Sequence, residues 1–331
     1  MAKQTSGTEE RLEAIDTIWK DFGDESIGLL GKGQIKKVDV ISTGAFAIDN
    51  MLGIGGIPRG RLTEIYGPES SGKTTLCQHV VAEAQALGLR CAYIDAEHAL
   101  DPIYMKATGV DIDKLWVSQP DNGERALGIV ERMVQTKEFG LIIVDSVAML
   151  TPQAEIEGEM GDSQIGALAR LMGRGLRKIT GPAGESNTGI IFVNQIREKI
   201  GVMYGSPETT PGGRALRYNA SVRIDIRRKD AIKADGEIAG NITHLKSVKN
   251  KLAPPARECD VKIIYGEGIS KEDSLLDPAV QSGVLTKSGS WFVYNDERLA
   301  NGREQMRLYL KERPDFTRLL TDTLAGMDWN A

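Results

Sequence analysis

The sequence predicts an α/β protein whose core is a doubly wound, mostly parallel sheet. A separate helix stands at the N-terminal end and a small α+β domain at the C-terminal end. Three observations carry this. Short apolar runs, Cys91-Ala-Tyr-Ile94, Leu141-Ile-Ile-Val144 and Gly189-Ile-Ile-Phe-Val193, recur between stretches of helical periodicity, as strands covered on both faces do. A strand over Leu62–Tyr66 enters a glycine turn and is followed by a helix over Thr74–Leu87 ended by Gly88. After Gly268 the alternation stops and short strands and helices are mixed.

At 331 residues the chain exceeds one ordinary domain. The expected divisions are 1–35, an N-terminal helix and linker; 36–268, the core; and 269–331, the small domain. In the first, Ser6 and Glu9 have capping-box spacing, and Leu12, Ile15, Trp19 and Phe22 repeat at helical intervals. So short a helix is marginal alone in water and must dock, on its own domain or on another subunit. Gly28 to Gly33 reads as a connector. Strands over Val222–Ile226, Ile242–Val248 and Val261–Ile264 continue the core sheet. The small domain is expected to hold a helix near Asp277–Gln281, strands around Val284–Thr286 and Ser290–Tyr294, and helices over Glu304–Lys311 and Phe316–Leu324.

Hydrophobic content of 41% and charged content of 26% fit a globular protein. No run approaches the roughly 20 apolar residues of a membrane span, and the first residues lack the apolar core of a secretory signal. The expected setting is cytoplasmic, with no membrane partner. Cys77, Cys91 and Cys259 are odd in number and far apart, which predicts buried free thiols rather than a disulfide framework or a metal cluster. The net charge of −5 argues against a protein coated in nucleic acid, yet Arg214–Lys251 holds ten Lys/Arg against four Asp/Glu. Such a segment has the charge of a polyanion-binding stripe.

Gly67-Pro-Glu-Ser-Ser-Gly-Lys-Thr74 is a phosphate-binding loop in the setting that the pattern requires, after an apolar strand and opening a helix. Its glycines let backbone N–H groups face phosphates at a positive helix end. Lys73 is expected to reach the terminal phosphates of ATP and the Thr74 hydroxyl to ligate Mg²⁺. Asp145, closing an apolar strand about 70 residues later, is expected to hold the cation's water shell. Asp95-Ala-Glu-His-Ala-Leu-Asp101 closes another strand, so its acids project at the carboxyl edge where ligands of such sheets bind. Glu97 is the candidate general base; the other reading is a helix-capping acid. His98 reads as a packing histidine. Gln195, where a strand opens into a long loop, has the chemistry to hydrogen-bond a γ-phosphate, though a lone glutamine is usually just a surface polar group.

Two connections are too long for simple turns. Ile196 to Gly213 is rich in Gly and Pro and carries Arg197, Lys199, Ile200, Val202, Gly212 and Gly213. Glu157 to Ser163 leads through Ile165 into a helix with Arg170, Arg174 and Arg177 on one face. Both are expected to leave the same edge of the sheet. Basic side chains, glycine N–H donors and apolar tips suit a nucleic-acid backbone with insertion between bases; a lid over a small substrate is the alternative.

With these residues the chain resembles the bacterial RecA recombinase family. The resemblance rests on Gly67–Thr75, Ile94–Tyr104, Val144–Ala148, Ala154–Gly158, Asn194–Arg197, Lys199–Met203, Pro207–Thr210 and Val248–Lys251, and extends from the N-terminal helix through the small domain. It implies a RecA-type ATPase core and a DNA-dependent ATPase that forms a helical filament on single-stranded DNA. The filament pairs that strand with homologous double-stranded DNA and exchanges strands in recombination and repair of DNA damage. It further implies that ATP binds Gly67, Pro68, Glu69, Ser70, Ser71, Gly72, Lys73, Thr74 and Thr75 with Asp145, that Asp101 and Tyr104 border the adenine, and that Tyr265 joins the nucleotide set. Glu97 would activate water, and Gln195 would sense the γ-phosphate. Lys249 and Lys251 would reach the ATP of the neighbouring subunit, although unaided they read as a solvated face. The N-terminal helix would dock on the adjacent core head to tail, with Tyr218 near that junction. LexA-type repressors, in an SOS co-protease role, and a single-strand-binding protein are implied as further partners.

Three departures qualify the resemblance. The chain stops at Gly326-Met-Asp-Trp-Asn-Ala331 rather than in a strongly acidic tail, so tail restraint of DNA binding is not expected. His244 stands where the family pattern has arginine, in a region tied to repressor cleavage, and Gln164 and Ile165 differ from the commonest loop residues. A ring-forming helicase on the same core is the alternative function; Ala154–Gly158 and Val248–Lys251 speak against it. A signalling filament and a small-metabolite kinase stand further off.

Overall fold

The structure is a computed structural model that describes residues 6–23, 26–28, 38–159, 166–198, 207–234 and 236–327. Two compact units emerge, Met1–Val38 and Asp39–Ala331. The first holds helix α1 (Ser6–Phe22). Its C-terminal turn is closed by the Gly23 amide, which donates to the Trp19 carbonyl at 2.8 Å, and by the Trp19 indole, which donates to the Ile27 carbonyl at 2.9 Å. The Ser6 and Glu9 side chains, and residues 29–33 of the expected connector, lie outside the described residues.

The second unit opens with β1 (Val40–Ile41), α2 (Phe46–Leu52) and β2 (Ile57–Pro58). The first phosphate-loop unit follows as β3 (Leu62–Gly67) and α3 (Lys73–Ala86). Next come β4 (Arg90–Asp95), α4 (Pro102–Ala107), β5 (Leu115–Ser118), α5 (Gly123–Thr136) and β6 (Phe139–Asp145). Then α6 (Gln153–Glu157), α7 (Ala167–Ser186) and β7 (Gly189–Gln195) lead to the two-residue strands β8 (Arg197–Glu198) and β9 (Glu208–Thr209). After α8 (Ala215–Asn219) the chain makes β10 (Val222–Ala234), β11 (Glu237–Asn250), β12 (Glu258–Ile264) and β13 (Gly268–Ile269).

Among the described residues, nine strands form one sheet in the order β13-β12-β11-β10-β3-β7-β6-β4-β5. From β10 through β5 every neighbouring pair is parallel, whereas β10 to β13 pair antiparallel. The period of two in the strands builds both faces. Leu141 and Ile143 pack with α3 residues Leu76, Val80 and Val81, while Ile142 and Val144 pack with α5 and α7 residues such as Val130, Leu176 and Ile179. Helices on both faces of a parallel sheet make the expected doubly wound α/β core.

The last part comprises α9 (Lys271–Gln281), β14 (Thr286–Ser288), β15 (Trp291–Tyr294), β16 (Glu297–Asn301), α10 (Arg303–Glu312) and α11 (Pro314–Ala325). It has its own cluster, including Leu276, Leu285, Phe292, Met306 and Leu324. Arg303 binds Asp273 through Nε at 2.8 Å and Nη2 at 2.7 Å, and Lys262 of β12 also meets Asp273 at 2.9 Å.

Three expectations change here. The first small strand begins at Thr286 rather than Val284, because Leu285 turns into the cluster. The third strand, β16, was unanticipated, since Glu-Arg-Leu-Ala-Asn buries only Ala300. Strand β10 runs well past Ile226 and β11 begins at Glu237, well before Ile242, the added residues being held by a backbone ladder where apolar alternation is lacking.

Candidate active site

The turn after β3 is compelled by sterics. A Cβ on Gly67 would collide with the Ile226 carbonyl, and Gly72, at φ +96°, leaves no room for one against Ile263 Cδ1. The chain can therefore curl at the carboxyl end of the sheet and open α3, whose first residues are Lys73 and Thr74. Lys73 is 9% exposed, and its Nζ donates to the carbonyls of Gly67 at 3.1 Å and Pro68 at 2.6 Å. Burial lowers its pKa, while the carboxylates of Asp145 and Glu97 oppose that shift. An ammonium held at a helix N-terminus is a fixed positive charge for phosphate oxygens.

Parallel pairing sets Asp95 of β4 opposite Asp145 of β6, so both strands deliver acids to this edge. The Thr74 hydroxyl donates to Asp145 Oδ2 at 2.9 Å, and the Tyr93 hydroxyl donates to the same oxygen at 2.7 Å. Burial raises the Asp145 pKa, and these hydrogen bonds oppose it. Glu97 Oε1 accepts from the Ser146 hydroxyl at 2.5 Å and from Gln195 Nε2 at 3.1 Å. Three separate elements thus converge on one carboxylate. Thr75 Oγ1 and the Tyr104 hydroxyl lie 3.1 Å apart.

These groups line a cavity of about 350 Å³ that runs from Glu69–Thr75 past Glu97, Asp145 and Gln195 to Tyr104 and, across from them, Asn241, Ile263 and Tyr265. Tyr265 is half-exposed at the rim. Asp101 does not line the cavity: its side chain caps α4, accepting from the Ile103 amide at 2.8 Å. Among the described residues no cluster of three His, Cys, Asp or Glu is arranged as a metal centre. The Thr74 hydroxyl and Asp145 carboxylate nevertheless fit Mg²⁺, which prefers hard oxygen donors and keeps much of its shell as water and phosphate.

Sequence reasoning missed Tyr93, Ser146, Asn241 and Ile263. Ser146 adjoins Asp145 and could have been flagged on that ground. Asn241 and Ile263 arrive from antiparallel strands far along the chain, and no local pattern marks them.

The two long connections meet at their bases. Gly213 lies against Ala169 of α7, and Gly212 against Val147 and Met172. Arg197 is exposed in β8, which pairs with β9. Arg170, Arg174 and Arg177 are exposed on α7, and the first two border a groove shared with Glu124 and Glu131 of α5. Gln164, Ile165, Lys199, Ile200 and Val202 lie outside the described residues.

The basic segment 214–251 offers less free charge than its composition suggests. Arg223 pairs with Glu64, Arg227 with Glu208 and Asp225, Lys229 with Asp260, and Lys246 with Glu258. His244 Nδ1 lies 2.6 Å from Asp260 Oδ1. Lys249 Nζ donates to the carbonyls of Arg217 at 2.7 Å and Tyr218 at 3.0 Å, and Lys251 Nζ to that of Tyr218 at 3.4 Å. Neither lysine lines the cavity. Cys77 and Cys91 are buried free thiols and Cys259 is a partly buried one. No helix among the described residues is long and apolar enough to cross a membrane.

Comparison with known proteins agrees with this architecture. The RecA N-terminal domain family matches residues 10–270, and the RecA C-terminal domain family matches residues 273–325. Protein RecA of Rubrobacter xylanophilus is 56% identical over 308 residues, covering 93% of this chain and 90% of that protein. Protein RecA of Cutibacterium acnes is 55% identical over 311 residues, covering 94% and 89%. A crystal structure of the RadB recombinase matches in fold, with a TM-score of 0.52 at 22% identity, covering 70% of this chain and 98% of that one. The chain therefore belongs to the RecA family: it is a DNA-dependent ATPase that uses ATP, binds DNA, associates with itself and acts as a recombinase in recombination and repair.

Proposed function

We propose that this chain assembles head to tail into helical filaments on single-stranded DNA in the cytoplasm, and there couples ATP hydrolysis to pairing and strand exchange. The observation that carries this reading is the hydrogen bond from Gln195 Nε2 to Glu97 Oε1. Glu97 sits in the nucleotide cavity, and Gln195 is the last residue before the loop whose base lies against α7. A change at the γ-phosphate that draws Gln195 away releases Glu97 and moves the root of the loop in one act.

The proposed roles are these. Gly67–Thr75 cradle the phosphates, with Lys73 as the fixed charge. Thr74 and Asp145 would hold Mg²⁺, which would neutralise phosphate charge when bound. Glu97 accepts the proton of the attacking water, kept in place by the Ser146 hydroxyl once Gln195 has turned away. Tyr104 and Tyr265 flank the base. Asp101 acts through the fold of α4. Lys249 and Lys251 serve the neighbour's nucleotide, and α1 docks on the neighbour's core near Tyr218. The DNA set is Ile165, Arg170, Arg174, Arg177, Arg197, Lys199, Ile200, Val202, Gly212 and Gly213. LexA-type repressors and a single-strand-binding protein complete the proposed partners.

The deciding experiment measures ATP hydrolysis with and without single-stranded DNA and images the same samples by electron microscopy. Stimulated hydrolysis with open helical filaments supports the proposal. Closed rings that unwind forked DNA, or turnover indifferent to DNA, overturn it.

A further inference from the structure

We propose that Tyr93 is a positioning residue for the cation end of the nucleotide cavity, fixing the Asp145 carboxylate through its phenol hydroxyl. This rests on the reading of Thr74 and Asp145 as the groups that hold Mg²⁺.

Tyr93 lies in the middle of β4 and is fully buried, in the cluster that α3 forms with the parallel strands. The same cluster includes Leu76, Cys77, Leu141 and Ile143, so the buried ring belongs to an apolar core and the hydroxyl is its one polar atom. A phenol O–H in such surroundings needs a partner. The partner is Asp145 Oδ2, 2.7 Å away. Strand register explains the reach: Tyr93 stands opposite Ile143, and Asp145 is two residues further along β6 on the same face. The ring extends diagonally from below and presents its hydroxyl to the carboxylate.

Asp145 Oδ2 is thereby held from two directions. Thr74 donates to it from the start of α3 at 2.9 Å, and Tyr93 donates from the sheet. Asp145 itself is 4% exposed, so bulk water competes little for its carboxylate. Two donors on separate elements fix both the side-chain torsion and the plane of the carboxylate. With Tyr93 reduced to a hydrocarbon ring, Thr74 alone would orient it, and Thr74 is the side chain that must also reach the cation. Outer partners of this kind commonly change metal affinity by ten-fold or more when removed. A purely packing role, by contrast, is satisfied equally well by phenylalanine, which fills the same space and has no polar atom to satisfy.

The test is Tyr93→Phe in the full chain, with a fluorescent non-hydrolysable ATP analogue titrated at graded Mg²⁺ and in EDTA. The expected result is a Mg²⁺ midpoint raised about ten-fold, analogue affinity in EDTA within two-fold of wild type, and an unchanged circular-dichroism spectrum. Asp145→Ala in the same titration tests the underlying reading. If Asp145→Ala leaves the Mg²⁺ midpoint where it was, the assignment of Asp145 to the cation falls. If Asp145→Ala shifts it and Tyr93→Phe does not, the assignment stands and Tyr93 merely packs. The double variant adds a check that is independent of folding losses. If the hydroxyl acts through Asp145, Tyr93→Phe shifts nothing further in the Asp145→Ala background, and an additional shift overturns the proposal.

Discussion

The nucleotide cavity and the Lys249–Lys251 pair are built from the same sheet in opposite ways. In the cavity, functional side chains hydrogen-bond one another: Thr74 and Tyr93 to Asp145, Ser146 and Gln195 to Glu97. At the end of β11, Lys249 and Lys251 (the residue just after the strand) donate, among the described residues, only to main-chain carbonyls of α8, beside an exposed Tyr218. Register explains the separation. Lys249 pairs with Arg223, and Arg223 with Glu64, three residues before Gly67 on β3. At about 3.3 Å per residue that is roughly 10 Å short of the phosphate loop, and α8 draws the lysines further toward the amino edge. One region is nearly complete within a single chain. The other presents cations on neutral oxygens, which a phosphate from outside would outbid. A fold that carries a nearly complete site on one edge and loose positive charge on another is suited to head-to-tail assembly.

Breaking the second region should have the largest effect. If Lys249 stabilises charge on a neighbour's nucleotide as an arginine finger does, Lys249→Ala should lower DNA-stimulated hydrolysis by about 10³-fold or more. Lys73→Ala should be as inactive, for the different reason that it cannot hold its own phosphates. Mixed in equal amounts, the two variants should recover about a quarter of wild-type hydrolysis, because roughly one junction in four joins an intact Lys73 to an intact Lys249. Microscopy must show both variants in the same filaments. No recovery under that condition would mean that Lys249 does not act across the junction.

The cavity is tested at Glu97. Glu97→Gln should retain nucleotide and DNA binding while hydrolysis slows by roughly 10²- to 10⁴-fold, and filaments should outlast the removal of free ATP. Hydrolysis within a few-fold of wild type would assign the proton transfer elsewhere.

The antiparallel edge strand β13 is tied to α3 through His79. Its Nε2 accepts from the Ile269 amide at 2.8 Å, and α3 is tied again to α9 by the Lys271–Glu83 pair. Burial holds the His79 pKa down at about 4, against an ordinary histidine value of 6.5. Its folded pKa is depressed, so as pH falls through 6.5 the unfolded chain takes up a proton that the folded chain refuses. The contribution is therefore present above pH 6.5 and is lost as pH falls to 4, about 3 kcal/mol in all. His79→Gln keeps an acceptor for Ile269 and cannot titrate. Urea unfolding at pH 7.5 and 4.5 should show a smaller loss in this variant than in wild type; equal losses would place the acid sensitivity in other groups.

The same contrast explains what could be read from sequence. The phosphate loop is contiguous, and Glu97 and Asp145 close apolar strands, so local pattern reveals both. Tyr93 sits inside an apolar run, and its hydroxyl acquires meaning only when register sets it below Asp145. Asn241 and Ile263 reach the cavity because β10 lies beside β3, a long-range pairing that no window of sequence contains. Buried Arg223 is the opposite case: read as part of a basic stripe, it is consumed by Glu64 at 2.5 Å. Charge counted along the chain says little about charge available in space.

That lesson bears on the smallest expected effect, at the arginines of α7. Arg170 and Arg174 border the groove that holds Glu124 and Glu131, and Lys178 of the same helix lies 3.4 Å from Glu131. Arg177 is exposed and does not line that groove. Charge reversal at Arg177 therefore removes a cation without leaving an acid of α5 unbalanced, whereas reversal at Arg170 also adds to the acids in the groove. If both arginines meet the phosphates of single-stranded DNA, each change to Glu should reduce the slope of log affinity against log salt by about 0.7. Over a four-fold range of salt that amounts to only about three-fold in affinity, so the slope, rather than one measurement, is the readout. Nucleotide binding without DNA should be unchanged in both variants. A slope that moves for Arg177→Glu but not for Arg170→Glu would confine the DNA path to the outer face of α7. A slope that moves for neither would remove the helix from the DNA surface and leave the two long loops to supply it.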